Sequence, residues 1–326
     1  MTEVSSPKIY ILYENEDWLT PLAQALDVRG LPYEGMQVVE GGVALDQEPP
    51  QGIFFNRLSA SAHTRGHTGS ISLGGAILAW LEHHGRRVVN GRNVIDLEVR
   101  KFDQYALLKA AGIAVPKTIA TTGKTALIEA AQSIADAGDG KFIVKPNRGG
   151  KGLGVRLFEN VQELRDALTQ GVDDFASIDG IQLVQEYIVG KESKILRNEF
   201  IGSEYYYSVE VNTEGGFELC PADSCCIADA KPQGGEKFRI LDGFEHPLRE
   251  QYETFLKVQN IEVAAFESIE SEEGTLYTYD INTNTNYNTS AEVACANNGG
   301  SEFDAYGRVA DFLGQALKSL DLKADA

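Results

Sequence analysis

The residues best suited to chemistry form a glycine-rich run at positions 145–155, KPNRGGKGLGV. Its four glycines fall within six positions, at Gly149, Gly150, Gly152 and Gly154. Because glycine has no Cβ atom, the backbone N–H groups can approach phosphate oxygens closely, and Arg148 and Lys151 add positive charge. Neither the GxGxxG dinucleotide fingerprint nor a Walker loop is present. Apolar stretches on both sides predict two strands, so the run is either a hairpin flap over a phosphate-bearing ligand or a plain turn.

The tetrapeptide Gln185-Glu186-Tyr187-Ile188 ends an apolar stretch and is typical of a strand that passes into a linker. A purine ring needs an apolar slot, together with a backbone or amide group for its amino group, and such a strand end offers both. Ordinary strand ends have similar sequences, so this tetrapeptide is informative only together with the other motifs.

Oxygen-bearing side chains lie on two predicted strands near the C-terminus, at Glu267, Asp280 and Asn282. A turn at 270–274 joins the strands, and Asp280 and Asn282 share one face because they alternate with Ile281. Mg²⁺ prefers hard oxygen ligands and keeps water and phosphate oxygens in its remaining positions. These residues predict a magnesium site. The alternative is a solvated acidic strand pair, which the apolar character of both strands disfavours.

A basic segment follows the predicted strand at 52–58. Its candidate side chains are Asn56, Arg57, His63, Arg65 and His67. In doubly wound sheets ligands bind at the carboxyl ends of strands, and arginine can form bidentate pairs with a carboxylate. We predict that this segment contacts an anionic substrate. The alternative is a surface loop that leads into a helix capped by Ser70.

The predicted elements that position these residues change in type along the chain. Strands at 8–14, 52–58 and 87–89 alternate with helices at 17–28 and 71–84. This βαβ order predicts a parallel sheet covered by helices. Later strands at 194–201 and 204–212 flank Gly202-Ser203, which indicates a hairpin. We therefore predict an α/β chain, α+β in its C-terminal half, divided into residues 1–100, 101–188 and 189–326.

Composition excludes several classes of partner. Of 326 residues 43% are apolar, which suffices for a sizeable core, yet no run approaches the roughly 20 apolar residues that cross a bilayer. The net charge of −19 disfavours nucleic acid and anionic membranes as partners. The four cysteines form no CxxC pair, and no basic segment precedes the first apolar stretch. We therefore expect a cytoplasmic protein without a structural zinc site.

Taken in order, these motifs resemble the ATP-grasp ligases. The sequences KFDQY at 101–105 and AGIAVP at 111–116 are similar to the start of the family's nucleotide-binding region. The Lys-Pro pair, the glycine run, QEYI and the acid followed by Asp-Ile-Asn then come in the family's order. The resemblance covers about residues 100–290 and is closest to the RimK-like glutamate-ligase branch. It implies an ATP-grasp fold behind an N-terminal Rossmann-like parallel α/β domain.

The resemblance also implies roles for individual residues. Lys101 and Lys145 contact the phosphates of ATP, which the glycine run covers, and residues 185–188 contact adenine. Arg197 faces the reacting phosphoryl group, and Arg239, on the long loop that follows, is a second such arginine. The three oxygen-bearing residues near the C-terminus match the ligands of magnesium, of which we expect two ions.

The chain departs from the family's pattern at three places. Ile195 stands where an acid usually contacts the ATP ribose, and Glu192 is the nearest replacement. Asp280 stands where glutamate is usual. The sequence NTNTNYN at 282–288 lacks the usual Pro-Gly, so the resemblance does not identify the substrate.

The activity implied by the resemblance is phosphorylation of a carboxylate by ATP, followed by coupling of the acyl group to an amine. The expected partners are a small-molecule or peptide carboxylate and an amine, without nucleic acid or membrane. A homo-oligomer is compatible with the sequence. Two alternatives stay open: an ATP-grasp kinase that phosphorylates a hydroxyl, and a nucleotide-binding module without catalysis.

Overall fold

The computed structural model describes residues 6–150, 152–171, 176–213 and 237–324. The strands in these ranges are β1 (Lys8–Tyr13), β2 (Tyr33–Gln37), β3 (Gly52–Arg57), β4 (Arg87–Val89), β5 (Thr118–Thr121), β6 (Phe142–Pro146), β7 (Arg156–Phe158), β8 (Gln182–Glu186), β9 (Lys194–Ile201), β10 (Glu204–Asn212), β11 (Phe238–Ile240), β12 (Val263–Glu270) and β13 (Leu276–Asn282). The α-helices are α1 (Glu16–Val28), α2 (Ser70–His83), α3 (Arg92–Val99), α4 (Lys101–Ala110), α5 (Lys124–Ala135), α6 (Val161–Thr169), α7 (Arg249–Gln259), α8 (Thr289–Asn297) and α9 (Ala305–Ala324). Among these helices, none combines the length and hydropathy of a membrane span.

The first sheet is parallel, with the strand order β2-β1-β3-β4. Its central strands carry unbroken apolar runs because helices cover both of its faces. Ile9 and Ile11 of β1 pack in one core with residues of α1 and α9, whereas Tyr10 and Leu12 pack in another with residues of α2. The predicted parallel sheet is confirmed. The half-exposed edge strand β2 was not predicted, because its sequence lacks a long apolar run.

The second sheet is antiparallel, with the order β5-β8-β6-β7. Phe142 and Val144 of β6 pack against α5 and α6 on one face. Because side chains alternate along a strand, Ile143 and Lys145 lie on the other face. The glycine run connects β6 to β7, which pair in antiparallel fashion, so it is the connection of a hairpin as predicted.

The third sheet is antiparallel, with the order β11-β10-β9-β12-β13. Gly202 and Ser203 connect β9 to β10 with φ angles of 66° and 60°, the positive pair that a two-residue type I′ turn requires. One face packs on α7, where the rings of Tyr252 and Phe266 stack with centroids 4.1 Å apart. This packing closes one face, and the other carries the buried charged residues described below.

Helix α9 packs on α1, β1 and β3, so the end of the chain completes the core of the first sheet. The predicted division at residues 100 and 188 stays a prediction. Helices α3 and α8 were not predicted, because charged and polar residues interrupt their apolar patterns.

Candidate active site

One cavity of about 480 Å³ is by far the larger of the two best-formed pockets among the described residues. Residues of the second and third sheets line it, together with the segment that follows β3. Its volume falls within the range of roughly 300–1,000 Å³ that is usual for small-molecule sites. The lining includes both apolar and charged side chains, as a ligand with a flat ring and a charged tail would need.

Most of the predicted site residues line this cavity. Those present are Lys101, Lys145, Gly149, Gly150, Gly152, Gln185, Glu186, Tyr187, Ile188, Arg197, Glu267, Asp280 and Asn282. The glycine run and the carboxylates on β12 and β13 therefore face one enclosed space, as the sequence interpretation required. The predicted residues that do not line it are Arg148, Gly154, Arg239, Asn56, Arg57, His63, Arg65 and His67. Lys151 lies outside the described residues.

Lys145 is a buried amine whose hydrogen bonds go to neutral groups. Its Nζ donates to the Tyr105 hydroxyl at 2.7 Å and to Gln185 Oε1 at 2.8 Å. Burial, followed by the nearby charge of Lys101, lowers the pKa of Lys145 to about 7. A bound anion next to Lys145 would be stabilised by the amine, because an anion favours the charged form of Lys145.

Lys101 begins α4 and pairs with a carboxylate of the third sheet. Its Nζ donates to Asp280 Oδ1 at 2.6 Å. Burial lowers the pKa of Lys101, but the charge of Asp280 and then the Tyr105 phenol more than offset it, so the pKa is raised overall. Lys101 is therefore protonated at neutral pH, and it brings a second positive charge close to Lys145.

Two carboxylates face each other across β12 and β13, where Glu267 pairs with Asp280 in the strand register. Burial raises the pKa of Glu267, the charge of Asp280 adds to this effect, and Arg197 opposes it. Asn282 Nδ2 donates to Glu267 Oε1 at 3.3 Å, which leaves the Asn282 amide oxygen as an acceptor.

These residues fit a magnesium ion. They supply two carboxylates and an amide oxygen, and because burial raises the pKa of Glu267, a bound cation would favour its ionised form. Over the described part of the chain, no group of three histidine, cysteine, aspartate or glutamate side chains is arranged to hold a metal. The two carboxylates and the amide oxygen therefore suit a cation whose remaining coordination positions are filled by water or phosphate oxygens.

Arg197, on β9, holds the charged face of the third sheet together. Its guanidinium donates to Glu267 Oε1 at 2.6 Å and to Thr285 Oγ1 at 2.7 Å. A third bond, from Nε, reaches Glu199 Oε1 at 2.7 Å. The side chain is 3% exposed and lines the cavity, so its charge acts in a poorly solvated region.

Arg239 lies elsewhere, against the prediction. Rather than belonging to a loop, it is the middle residue of β11, where Phe238 and Ile240 take the core-facing positions. Its side chain is therefore on the opposite face of the sheet from Arg197. There it is 59% exposed and pairs with Glu210 at 3.0 Å. The sequence could not show this, because the alternation of a three-residue strand is visible only once its pairing is known.

A matched pair of substitutions tests this difference between the two arginines. Arg197→Lys keeps the charge but loses the fork of donors, so we expect turnover to fall roughly 10²-fold, as for loss of one transition-state donor. Arg239→Lys should leave turnover within about two-fold, because exposed ion pairs contribute little. The measurement is phosphate release at saturating ATP. Equal losses in both variants would contradict the placement.

Two side chains of the basic segment after β3 pair with one acid, and the predicted substrate contact stays a prediction. Arg65 and His67 both pair with the carboxylate of Glu14, whose side chain is 1% exposed. His63 Nδ1 lies 3.0 Å from the Ala60 carbonyl oxygen. Because Glu14 directly follows β1, some 50 residues earlier in the chain, the sequence of the segment does not reveal its partner.

Asn56 and Arg57 are also engaged within the protein. Asn56 Nδ2 donates to the Asn90 carbonyl at 2.9 Å, and its Oδ1 accepts from the Leu58 backbone N–H at 3.1 Å. Arg57 is 6% exposed and binds the segment after β13. The residues of this segment that line the cavity are instead Ser59, Ala60 and Ser61.

All four residues of the predicted adenine-binding tetrapeptide line the cavity. Gln185 and Glu186 use their side-chain oxygens inside the protein, since Glu186 Oε1 accepts from the Lys117 backbone N–H at 2.6 Å and Gln185 Oε1 accepts from Lys145. Tyr187 and Ile188 remain as apolar lining. Further apolar lining residues are Pro116, Ile143, Leu153, Val155, Ile195 and Ile269. Glu192, the expected replacement for the ribose acid, also lines the cavity.

Several lining residues were not predicted, and Glu98 is a buried acid among them. Its carboxylate accepts from the Thr283 backbone N–H at 2.7 Å and from the Thr283 hydroxyl at 2.9 Å. Burial raises the pKa of Glu98 to about 7, although the Thr283 bonds oppose the shift. The indication in the sequence was an acid within the apolar run VIDLEV at 94–99. Tyr279, Asn284 and Asn286 were missed as well.

No protein-family model matches this chain, and a search of curated proteins finds no match either. Solved structures are similar. The D-cycloserine synthetase DcsG has a TM-score of 0.64 at 15% identity, with 95% of this chain and 99% of that chain covered. A RimK-domain ATP-grasp protein from Sphaerobacter thermophilus DSM 20745 has a TM-score of 0.64 at 17% identity, with coverage of 94% and 98%. The ATP-grasp ligase PsnB, complexed with a minimal precursor, Mg and ADP, has a TM-score of 0.64 at 16% identity, with coverage of 96% and 98%.

These likenesses extend over nearly the whole of both chains in each comparison. They show that the chain has the ATP-grasp fold, including the parallel sheet at its N-terminus, and the predicted fold class is confirmed. At such low sequence identity they do not show which reaction the chain catalyses.

Proposed function

We propose that this ATP-grasp chain is an ATP- and Mg²⁺-dependent ligase, which activates a carboxylate as an acyl phosphate and couples it to an amine. The observation that carries the proposal is one cavity in which a glycine hairpin, two buried lysines and a facing carboxylate pair meet. Each part addresses one need of phosphoryl transfer, namely positioning, neutralisation of phosphate charge and binding of a metal.

In the first step of the proposed reaction, a carboxylate oxygen attacks the γ-phosphorus and the bond to the ADP oxygen breaks. Lys145 and Lys101 hold positive charge where phosphate oxygens would lie, and the glycine hairpin can offer backbone N–H groups to them. Bound Mg²⁺, held by Glu267, Asp280 and Asn282, would neutralise further phosphate charge. Arg197 keeps Glu267 ionised and in place.

In the second step the amine nitrogen attacks the acyl carbon, the bond to phosphate breaks, and the amine loses a proton. Water must be kept away, because it would hydrolyse the acyl phosphate. A hairpin rich in glycine is suited to open and close over such a site. The glycine hairpin reaches the segment that follows β3, since a Cβ atom on Gly150 would lie 3.1 Å from Ser61 Cβ.

The solved structures support the same choice of ligands. PsnB was crystallised with Mg and ADP, and we infer that the present chain binds ATP and Mg²⁺, with two ions, in the same region. The named relatives act on small molecules or on a precursor peptide, so a carboxylate and an amine from either class are candidate substrates. The net charge of −19 favours neither nucleic acid nor an anionic membrane as a partner, and we infer a cytoplasmic location.

A screen of acid–amine pairs for phosphate release tests the proposal. We expect release of ADP and phosphate only when both an acid and an amine are present, with an amide product in the mass spectrum. A stable phosphorylated product without any amine requirement would instead identify a kinase. Tight ATP binding without turnover across the screen would identify a nucleotide-binding module.

A further inference from the structure

Arg57 is a buried arginine that binds the segment following β13 through several donors at once. Its Nε donates to Asn284 Oδ1 at 3.1 Å, and its Nη2 donates to Asn286 Oδ1 at 2.8 Å. Nη2 also donates to the Thr285 carbonyl at 2.8 Å, and Nη1 donates to the Trp18 carbonyl at 3.2 Å. A single guanidinium therefore holds two side-chain amides by their oxygens.

The orientation of both amides follows from the chemistry of arginine. A guanidinium has donors and no acceptor, so the amide atom that faces it must be the oxygen. The Nδ2 groups of Asn284 and Asn286 then point away from Arg57, and both residues line the cavity. Asn284 Nδ2 is buried and has no hydrogen-bond partner among the described residues. Such an unsatisfied donor destabilises the protein, and a ligand acceptor that reaches it would provide the missing hydrogen bond.

The two amides continue a row of polar side chains that begins at the carboxylate pair. Asp280, Asn282, Asn284 and Asn286 occupy every second position, and all four line the cavity. The intervening Thr283 and Thr285 bond to protein groups instead, to Glu98 and to Arg197 and Glu199 respectively. The row therefore leads from the proposed magnesium site towards the end of β3, where Arg57 holds Asn284 and Asn286.

We infer that Asn284 and Asn286 form a pair of N–H donors for an oxygen of the acid substrate, and that Arg57 is the positioning residue that fixes their direction. This inference rests on the proposed function. The donors select an acceptor, and a carboxylate has only acceptor oxygens, whereas an ammonium group has only donors. The acid, rather than the amine, therefore occupies this end of the cavity next to the proposed magnesium ligands.

Side-chain amide signals in ¹⁵N–¹H spectra of the full chain, without nucleotide, test the donor pair directly. Asn284→Asp and Asn286→Asp each remove one NH₂ signal and so assign it, while keeping an oxygen for Arg57. Acetate is the probe, and methylammonium is the donor-only comparison. Asn288 is the matched control, because it lies in the same segment and caps α8 with its side chain, which accepts from the Ala291 backbone N–H.

We expect acetate to shift the signals of Asn284 and Asn286 in a saturable manner, with no such shift at Asn288 and none with methylammonium. Arg57→Lys should weaken the acetate response at least about five-fold, since about 1 kcal/mol of orientation is lost. Absence of the shifts, equal shifts at Asn288, or the same response to methylammonium would overturn the inference.

Kinetics separate this inference from the proposed function. With an acid that supports phosphate release, Asn286→Asp should raise the KM for that acid about ten-fold or more, because a charged acceptor replaces a donor, and leave the KM for ATP within about two-fold. Turnover with an unchanged KM for the acid would end the inference and leave the ligase intact. Acetate-dependent shifts without turnover on any acid–amine pair would support the donor pair and contradict the ligase proposal.

Discussion

Asp280→Asn should lower acid- and amine-dependent phosphate release by about 10³-fold or more, while the protein stays folded. The substitution keeps the size of the side chain and removes the charge that pairs with Lys101 and faces Glu267. Under the proposed function it also removes one of two anionic magnesium ligands, so phosphate charge in the transition state is neutralised less well. The apparent affinity for Mg²⁺ should fall together with turnover.

The control for this substitution is Glu270→Gln on β12 of the same sheet. Glu270 pairs with Lys191 at 3.2 Å, but both side chains are exposed and neither residue lines the cavity. Turnover of Glu270→Gln should match the parent protein, since exposed pairs contribute little. Thermal unfolding should show that Asp280→Asn loses about 1–3 kcal/mol of a total of roughly 5–15, which leaves it folded. Normal phosphate release by Asp280→Asn would contradict the site assignment.

Lys145→Met should abolish turnover and should also change how ATP binding depends on pH. In the free protein, burial and Lys101 lower the pKa of Lys145 to about 7. Bound phosphates would raise that pKa, because an adjacent anion favours the charged amine. Below pH 7 the amine is already charged, and binding requires no proton. Above pH 7 binding must take up a proton, so the affinity for ATP should fall by up to about ten-fold per pH unit until the bound-state pKa is reached.

Calorimetry in buffers of different ionisation enthalpy measures this proton uptake. On binding ATP, the parent protein should take up a fraction of a proton near pH 7 and close to one proton near pH 8. Lys145→Met should lack this contribution to proton uptake at both pH values. Lys141→Met is the matched control, because Lys141 immediately precedes β6 and makes a surface pair with Glu159 at 2.9 Å. The same proton uptake in the parent and in Lys145→Met would exclude Lys145 as a phosphate-binding residue.

Local sequence was sufficient for the elements whose residues interact with near neighbours. The alternation of strands and helices at the start of the chain predicted a parallel sheet covered by helices. The glycine run between two apolar stretches predicted the hairpin of β6 and β7. Lys145 was predicted from the family resemblance, and its alternation with Val144 along β6 agrees with its place on the cavity side. The hairpin depends on a turn of a few residues, and the alternation depends on a period of two.

Several of the predicted site residues that do not line the cavity have partners far away in the chain. Arg65 and His67 formed a plausible anion site until the structure put Glu14 beside them. Arg57 formed another until Asn284 and Asn286, more than 220 residues later, accepted its donors. Arg239 was a candidate beside Arg197 until strand pairing put the two on opposite faces. The interaction of two charges depends on their distance and on the solvent around them, and neither is written in sequence spacing.

The sequence by itself predicted the fold class and the glycine hairpin. It also predicted Lys101, Lys145 and the carboxylates of Glu267 and Asp280 as site residues. These predictions came from strand alternation, turn chemistry and motif order, which can be read along the chain. Only the tertiary structure decided which cations remain available to a ligand and which are neutralised by the protein. It also decided that α9 completes the core of the first sheet and that Asn284 and Asn286 of the segment after β13 line the cavity. These outcomes arise from burial and from pairs formed between distant segments, which exist only once the chain has folded.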